Sequence, residues 1–185
     1  MKKSCSCYSF VILCLTLAAF LNACGETSSK QQTAPKASRQ PTDIETITEL
    51  NRYLSEKDRA VIEGYARRNK LDLTLSQSGF FYTIFDEGKG EQIKEGDEVT
   101  ITGSIKLIDG TPSYTFTQEE PKTLLVAQSP EMSGLHVALP MLKNEGHALF
   151  IFPPNLSFGL LGDGDKIPSR SIVVLDIQVT NVVQR

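Results

Sequence analysis

From Gly79 to the C-terminus, apolar side chains recur at every second position, in short runs cut apart by glycine- and aspartate-bearing turns. That period sets one face of each run against a core and the other against water, as in an antiparallel sheet. It predicts strands over 80–85, 98–107, 122–126, 148–152 and 171–183. The separating turns are Asp86-Glu87-Gly88, Lys94-Glu95-Gly96-Asp97 and Asp109-Gly110, where glycine supplies conformations other residues resist. One helical pattern, 133–143, lies between the third and fourth runs. The domain expected over 79–185 is therefore α+β, an antiparallel sheet wrapped on one short helix.

The segment before it, 42–78, has a helical period. Ile44, Ile47, Leu50 and Leu54 recur at three- and four-residue steps. A second pattern starts at Ser55, a good N-cap, with acids in its first turn and Arg67, Arg68 and Lys70 at its end, where the helix dipole favours cations. Gly64 weakens this helix by about 1 kcal/mol relative to alanine. Val61, Ile62 and Tyr65 make a narrow apolar face, suited to packing on the domain that follows.

The first residues read as an address. Lys2 and Lys3 precede a 14-residue apolar core, 8–21, too short to span a bilayer comfortably and suited to a secretory signal. It ends in Leu21-Asn22-Ala23-Cys24, which resembles a lipobox, so 1–23 is expected to leave as a lipoprotein signal peptide. Cys5, Cys7 and Cys14 leave with it, and Cys24 is then a lone cysteine with no intramolecular disulfide partner. Diacylation of Cys24 would anchor the chain to a membrane stably, where one acyl chain would not. Residues 24–41 are polar and read as a flexible tether. The expected location is the periplasmic face of the outer membrane.

Charge excludes one class of partner. The chain carries −3, and loss of Lys2 and Lys3 leaves 17 basic against 22 acidic residues, with no basic stripe for nucleic acid. His136 and His147 are the only histidines, read as surface residues, and they form no ligand or triad pattern. No metal or other cofactor is expected.

The stretch SFGLLGDGDKIPSRSIVVLDI, from Ser157 to Ile177, needs a separate account. A phosphate loop would open a helix, whereas these glycines lead into a strand. A calcium loop counted from Asp163 would have Ile167 at its fifth position and Val174 at its twelfth, neither of which ligates. Asp163 and Asp165 read as members of a solvated turn.

In order along the chain stand Gly96-Asp97-Glu98-Val99, Leu107-Ile108-Asp109-Gly110, the run Gly134 to Met141, Phe152-Pro153, Ser157-Phe158-Gly159, Ile167-Pro168, and Val173 to Val179. This ordered set resembles the FKBP-type peptidyl-prolyl isomerases over about 79–185. The preceding helix and lipobox look like the lipid-anchored members of the gliding-motility-associated branch. The resemblance makes 157–172 a flap over a proline pocket lined by Tyr114, Met132, Leu135, Phe158, Ile167 and Leu175. It places the family's strand tyrosine at Gly103 and the phenylalanine and aspartate after the L-x-D-G turn at Ser113 and Tyr114. A further aromatic falls on Lys122, the Val-Ile pair on Glu131-Met132, the floor tryptophan on Leu135 and the flap tyrosine on Phe158.

The implied activity is isomerisation of X–Pro bonds in exported polypeptides. Such chemistry needs no nucleophile, acid–base pair or metal: the barrier of about 18–20 kcal/mol is lost amide resonance, which a dry, shaped surface can lower. Implied partners are proline-containing polypeptide clients, a membrane through Cys24, and an envelope protein complex. The losses at Gly103, Ser113 and Lys122 imply an alternative, a catalytically weak or inactive binding module of an envelope assembly.

Overall fold

A computed structural model of the chain describes residues 43–185. The signal segment 1–23, Cys24 and the tether 24–41 lie outside the described residues.

The two helical patterns form one helix, α1 (Asp43–Asn69), so Ser55 is an interior residue and not an N-cap. Neither proline nor glycine stands near Ser55, and an interior serine costs only a few tenths of a kcal/mol to about half, less than ending and renucleating a helix. α1 stops where Lys70 turns left-handed (φ 54). There the Leu71 N–H donates to Ala66 O (3.0 Å), closing the end of the helix.

The strands follow in chain order: β1 (Thr74–Leu75), β2 (Phe81–Asp86), β3 (Lys89–Gln92), β4 (Glu98–Leu107), β5 (Pro112–Phe116) and β6 (Lys122–Leu125). After α2 (Ser133–Ala138) come β7 (Lys143–Asn144), β8 (His147–Phe152) and β9 (Val173–Val183). The main sheet runs β1-β2-β8-β9-β4-β5, with β6 paired beside β5 along the same edge of β4. Every pairing is antiparallel, including the separate ribbon of β3 with β7. The helix expected over 133–143 is shorter, because Pro140 cannot donate to an α-helical ladder and the chain tightens into a 3₁₀ turn over Leu139–Met141. β5 carries Pro112, which argues against a strand in sequence and is tolerated here at a strand end.

The concave face of the sheet closes on α2. Ala148, Phe150 and Phe152 of β8 and Val173, Leu175, Ile177 and Val179 of β9 point there, against Leu135, Ala138 and Leu139. Phe80, Phe150 and Phe152 form one aromatic group with ring centroids 5.3 to 6.0 Å apart. Gly134 lets α2 sit directly on it, since a Cβ there would lie 2.5 Å from Phe152 Cδ1. Beneath β4, buried Asp97 accepts the Lys94 N–H (2.8 Å), which sets the turn that starts the strand.

The alternate residues of β8 and β9 face the other way and are also buried. Leu149, Ile151, Val174, Phe81 and Ile172 gather under Ile62 of α1, with Tyr65 and Leu71 at the margin. This explains why β8 reads as an unbroken apolar run: it is covered on both faces. Ile62 is 1% exposed, and full burial of such a side chain stabilises by about 1.5–3 kcal/mol. One turn earlier on the same face, Asp58 receives the Arg170 guanidinium (2.9 Å). Toward the N-terminal end of α1, Ile44, Ile47, Leu50 and Tyr53 are all more than half exposed.

Candidate proline-binding site

The six residues singled out from sequence come from five places in the chain and meet in one cluster. Met132 precedes α2, Leu135 lies on it, and Leu175 is central in β9. Phe158 and Ile167 belong to the irregular segment between Leu156 and β9. Tyr114 reaches the cluster from β5, where it pairs with Ile105, and Ile105 pairs in turn with Leu175. Met132, Leu135, Ile167 and Leu175 are between 1% and 5% exposed, whereas Tyr114 and Phe158 are half-buried against them. The result is a dry apolar body with two rings at its margin and no nucleophile among the six.

Gly103 owes its identity to the sheet. It takes φ 140, and a Cβ there would stand 2.0 Å from the Asp176 carbonyl oxygen. The β9 backbone thus fills the space a side chain would need. Across the other edge Gly103 faces Phe116, a half-buried ring packed on the same cluster and not selected from sequence. Phe116 lies two residues beyond Tyr114, on the same face of β5, a strand not among those expected from the sequence.

Ser113 occupies the irregularity where Tyr114 pairs with Ile105 and Pro112 with Lys106. It is buried, and its Oγ has no hydrogen-bond partner among the described residues. Lys122 stands 5.4 Å from the centroid of the Phe116 ring and pairs with Glu131 at 2.8 Å. Its stem covers an aromatic face while its charge is neutralised.

Asp163 departs from the solvated turn expected of it. Its Oδ1 accepts the amide N–H of Asp165 (2.9 Å) and of Ile167 (2.8 Å), and its Oδ2 accepts the Tyr114 hydroxyl. Lys166 Nζ lies 4.9 Å from the Tyr114 ring centroid. Burial raises the Asp163 carboxyl, but the hydrogen bonds from Tyr114, Asp165 and Ile167 outweigh it and hold the group below its ordinary value. The same bond to Asp163, with desolvation and the carboxylate charge, pushes the Tyr114 phenol up from 10.0 to about 12. A raised phenol pKa means that the bond's stabilisation is complete below pH 10 and is lost as the pH rises through about 12. Absorbance titration is expected to show a tyrosinate component near pH 12 that Tyr114→Phe removes. Its persistence in that variant would refute the assignment.

Both histidines have partners. His136 Nδ1 accepts the Ala127 N–H (2.9 Å) and Nε2 reaches Ser129 O (2.9 Å), so the ring braces the loop before α2. His147 Nε2 lies 2.9 Å from Asp176 Oδ1 on the outer surface of the sheet. Two open clefts flank α1. One of ≈ 520 Å³ is walled by Arg52, Glu56, Asp58 and Arg59, and one of ≈ 410 Å³ by Leu54, Asp58, Leu160 and Arg170. Both clefts carry charged side chains beside apolar ones, and neither is lined by any of the six residues.

A sheet curled over one short helix, with an apolar cluster beneath an irregular crossing segment, defines an α+β domain. Residues 89–180 match the sequence profile of the family described as FKBP-type peptidyl-prolyl cis-trans isomerase, and this domain belongs to that family. The chain is 30% identical over 108 residues to the FKBP-type peptidyl-prolyl cis-trans isomerase FkpA of Escherichia coli strain K12, covering 58% of this chain and 39% of the relative. It is 23% identical over 134 residues to the inactive peptidyl-prolyl cis-trans isomerase FKBP6 of Homo sapiens, covering 70% of this chain and 41% of that one. The fold is shared with the crystal structure of a peptidyl-prolyl cis-trans isomerase from Pseudomonas syringae, at a TM-score of 0.60 and 21% identity, over 72% of this chain and 96% of that one. The chain spans about half the length, or less, of the curated relatives it matches here.

Proposed function

We propose that the domain catalyses cis–trans isomerisation of X–Pro bonds in exported polypeptides and is held at the cell envelope by lipidated Cys24. The observation that supports this is the cluster itself. A proline ring would pack on the half-buried rings of Phe158 and Tyr114, which stand at the margin of the cluster that buries Leu135, Ile167 and Leu175. Rotation about the imide bond removes its resonance, and the twisted carbonyl is less stabilised by water than the planar one. An apolar surface that withholds water and fits the twisted form lowers the barrier without any proton transfer. Proline-containing clients, the membrane and an envelope complex are the proposed partners, on the periplasmic face of the outer membrane in the lipid-anchored branch.

The test is the isomerisation rate of a short Leu-Pro peptide with the fragment 42–185. Phe158→Ala is expected to lower kcat/KM at least tenfold, about 1.4 kcal/mol of transition-state stabilisation, and at least as much as Tyr114→Ala. Unaffected rates in both variants would remove the site assignment. A second reading, a binding module with little turnover, draws support from Gly103, Ser113 and the Tyr114 hydroxyl already bonded to Asp163. A folded fragment that binds the peptide without accelerating it would select this reading.

A further inference from the structure

We propose that Asp163 is a positioning residue, which Tyr114 holds in place, and that together they keep the flap closed and fix Ile167 as a wall of the site. The role in turnover rests on the isomerase reading above.

The flap has little to hold it. Residues 157–172 contain no strand or helix, and its tip carries Leu160 and Leu161 at 72% and 89% exposure. Near its base, Arg170 N–H donates to Gly159 O (3.0 Å) and the Arg170 side chain meets Asp58 of α1. Between Leu160 and Ser169, Tyr114 is the one residue from beyond 157–172 that hydrogen-bonds to the segment among the described residues.

That single bond is wired to Ile167. Asp163 and Ile167 bond to each other twice, through Oδ1 to the Ile167 N–H (2.8 Å) and through the Asp163 N–H to Ile167 O (3.1 Å). Gly162 makes the ring tight: with φ 75, a Cβ on it would lie 2.1 Å from Ile167 O. The Ile167 side chain is 2% exposed in the cluster. A hydroxyl on β5 therefore sets the position of a carboxylate, and the carboxylate sets the backbone of a lining residue. A hydrogen bond to an ionised acceptor is short and directional, which suits this use. Lys166 over the Tyr114 ring adds contact without binding the flap to any further element.

The experiment uses the full-length chain in detergent. Tyr114→Phe keeps the ring and removes only the hydroxyl, and Asp163→Asn keeps one amide-accepting oxygen. Amide exchange at Asp165 and Ile167 is expected to quicken about tenfold in each variant, with Phe150 and Leu175 unchanged. With the Leu-Pro peptide, KM is expected to rise about tenfold while kcat stays within twofold. The double variant is expected to add nothing to either single one, because both break the same link. Unchanged exchange at Ile167 in both variants would overturn the proposal, as would unchanged KM beside a lowered melting point. Should the wild-type chain show no turnover, the isomerase reading fails by itself. Exchange at Ile167 then still decides the clasp: quickening supports it and no change refutes it.

Discussion

Gly103→Ala is expected to lower the midpoint of thermal unfolding by about 10 °C, followed by circular dichroism. Two costs combine. A side chain at φ 140 is strained, and its Cβ would sit 2.0 Å from Asp176 O and 2.9 Å from the Cα of Ile177. Backbone strain of about 1–2 kcal/mol and overpacking of about 1–3 kcal/mol together give several kcal/mol, each worth a few degrees in a domain of this size. The atoms that would have to yield are backbone of β9, paired on both sides inside the core, so relaxation is difficult. Gly103→Tyr, which restores the aromatic that the family resemblance places there, is expected to be worse still and to restore no activity. A midpoint within 2 °C of the parent in Gly103→Ala would show that β4 and β9 can separate cheaply at this point.

Ile62→Asp is expected to release α1 while leaving the sheet folded. Among the described side chains of α1, Ile62 is the one that is fully buried, at 1% exposure. Removing such a side chain costs about 2–5 kcal/mol, and an unpaired carboxylate in its place adds a desolvation penalty. The remaining attachments, the Tyr65 ring at the cluster's margin and the partly exposed pair of Asp58 with Arg170, cannot hold the helix alone. Trypsin is expected to cut rapidly at Arg59, Arg67 and Arg68, leaving the core of β8 and β9 protected from amide exchange. Simultaneous loss of protection in α1 and in β8 would mean that the helix is part of one cooperative unit, and would refute local release.

Much of this fold was legible in the sequence because most of its strands carry their own period. β4 alternates along its length after a glycine turn and β9 alternates from Leu175 to Thr180, so the expected 98–107 and 171–183 meet the observed Glu98–Leu107 and Val173–Val183 closely. β5 escaped because Pro112 stands at its start and the bulge at Ser113 breaks its alternation. With β5 unread, Phe116 had no face. Ser55 misled for the opposite reason: a good capping residue can be spent inside a helix when nothing else interrupts it.

The site divides in the same way. Its six candidate residues could be placed in order along the chain, and the tertiary structure gathers them into one cluster. The clasp between Tyr114 and Asp163 spans 49 positions, and neither residue advertises the other by local spacing. Gly103 looked like a lost side chain, yet the β9 backbone occupies the place where one would stand.

The sequence by itself determined the antiparallel sheet, the short central helix, the turns and the segment that matches the family, because periodicity and glycine placement act over a few residues. Only the tertiary structure decided that α1 docks through Ile62, that the Gly103 site is closed to any side chain, and that the flap is tied to β5. Those outcomes depend on which distant backbones approach one another, and pairing of that kind leaves no periodic trace along the chain.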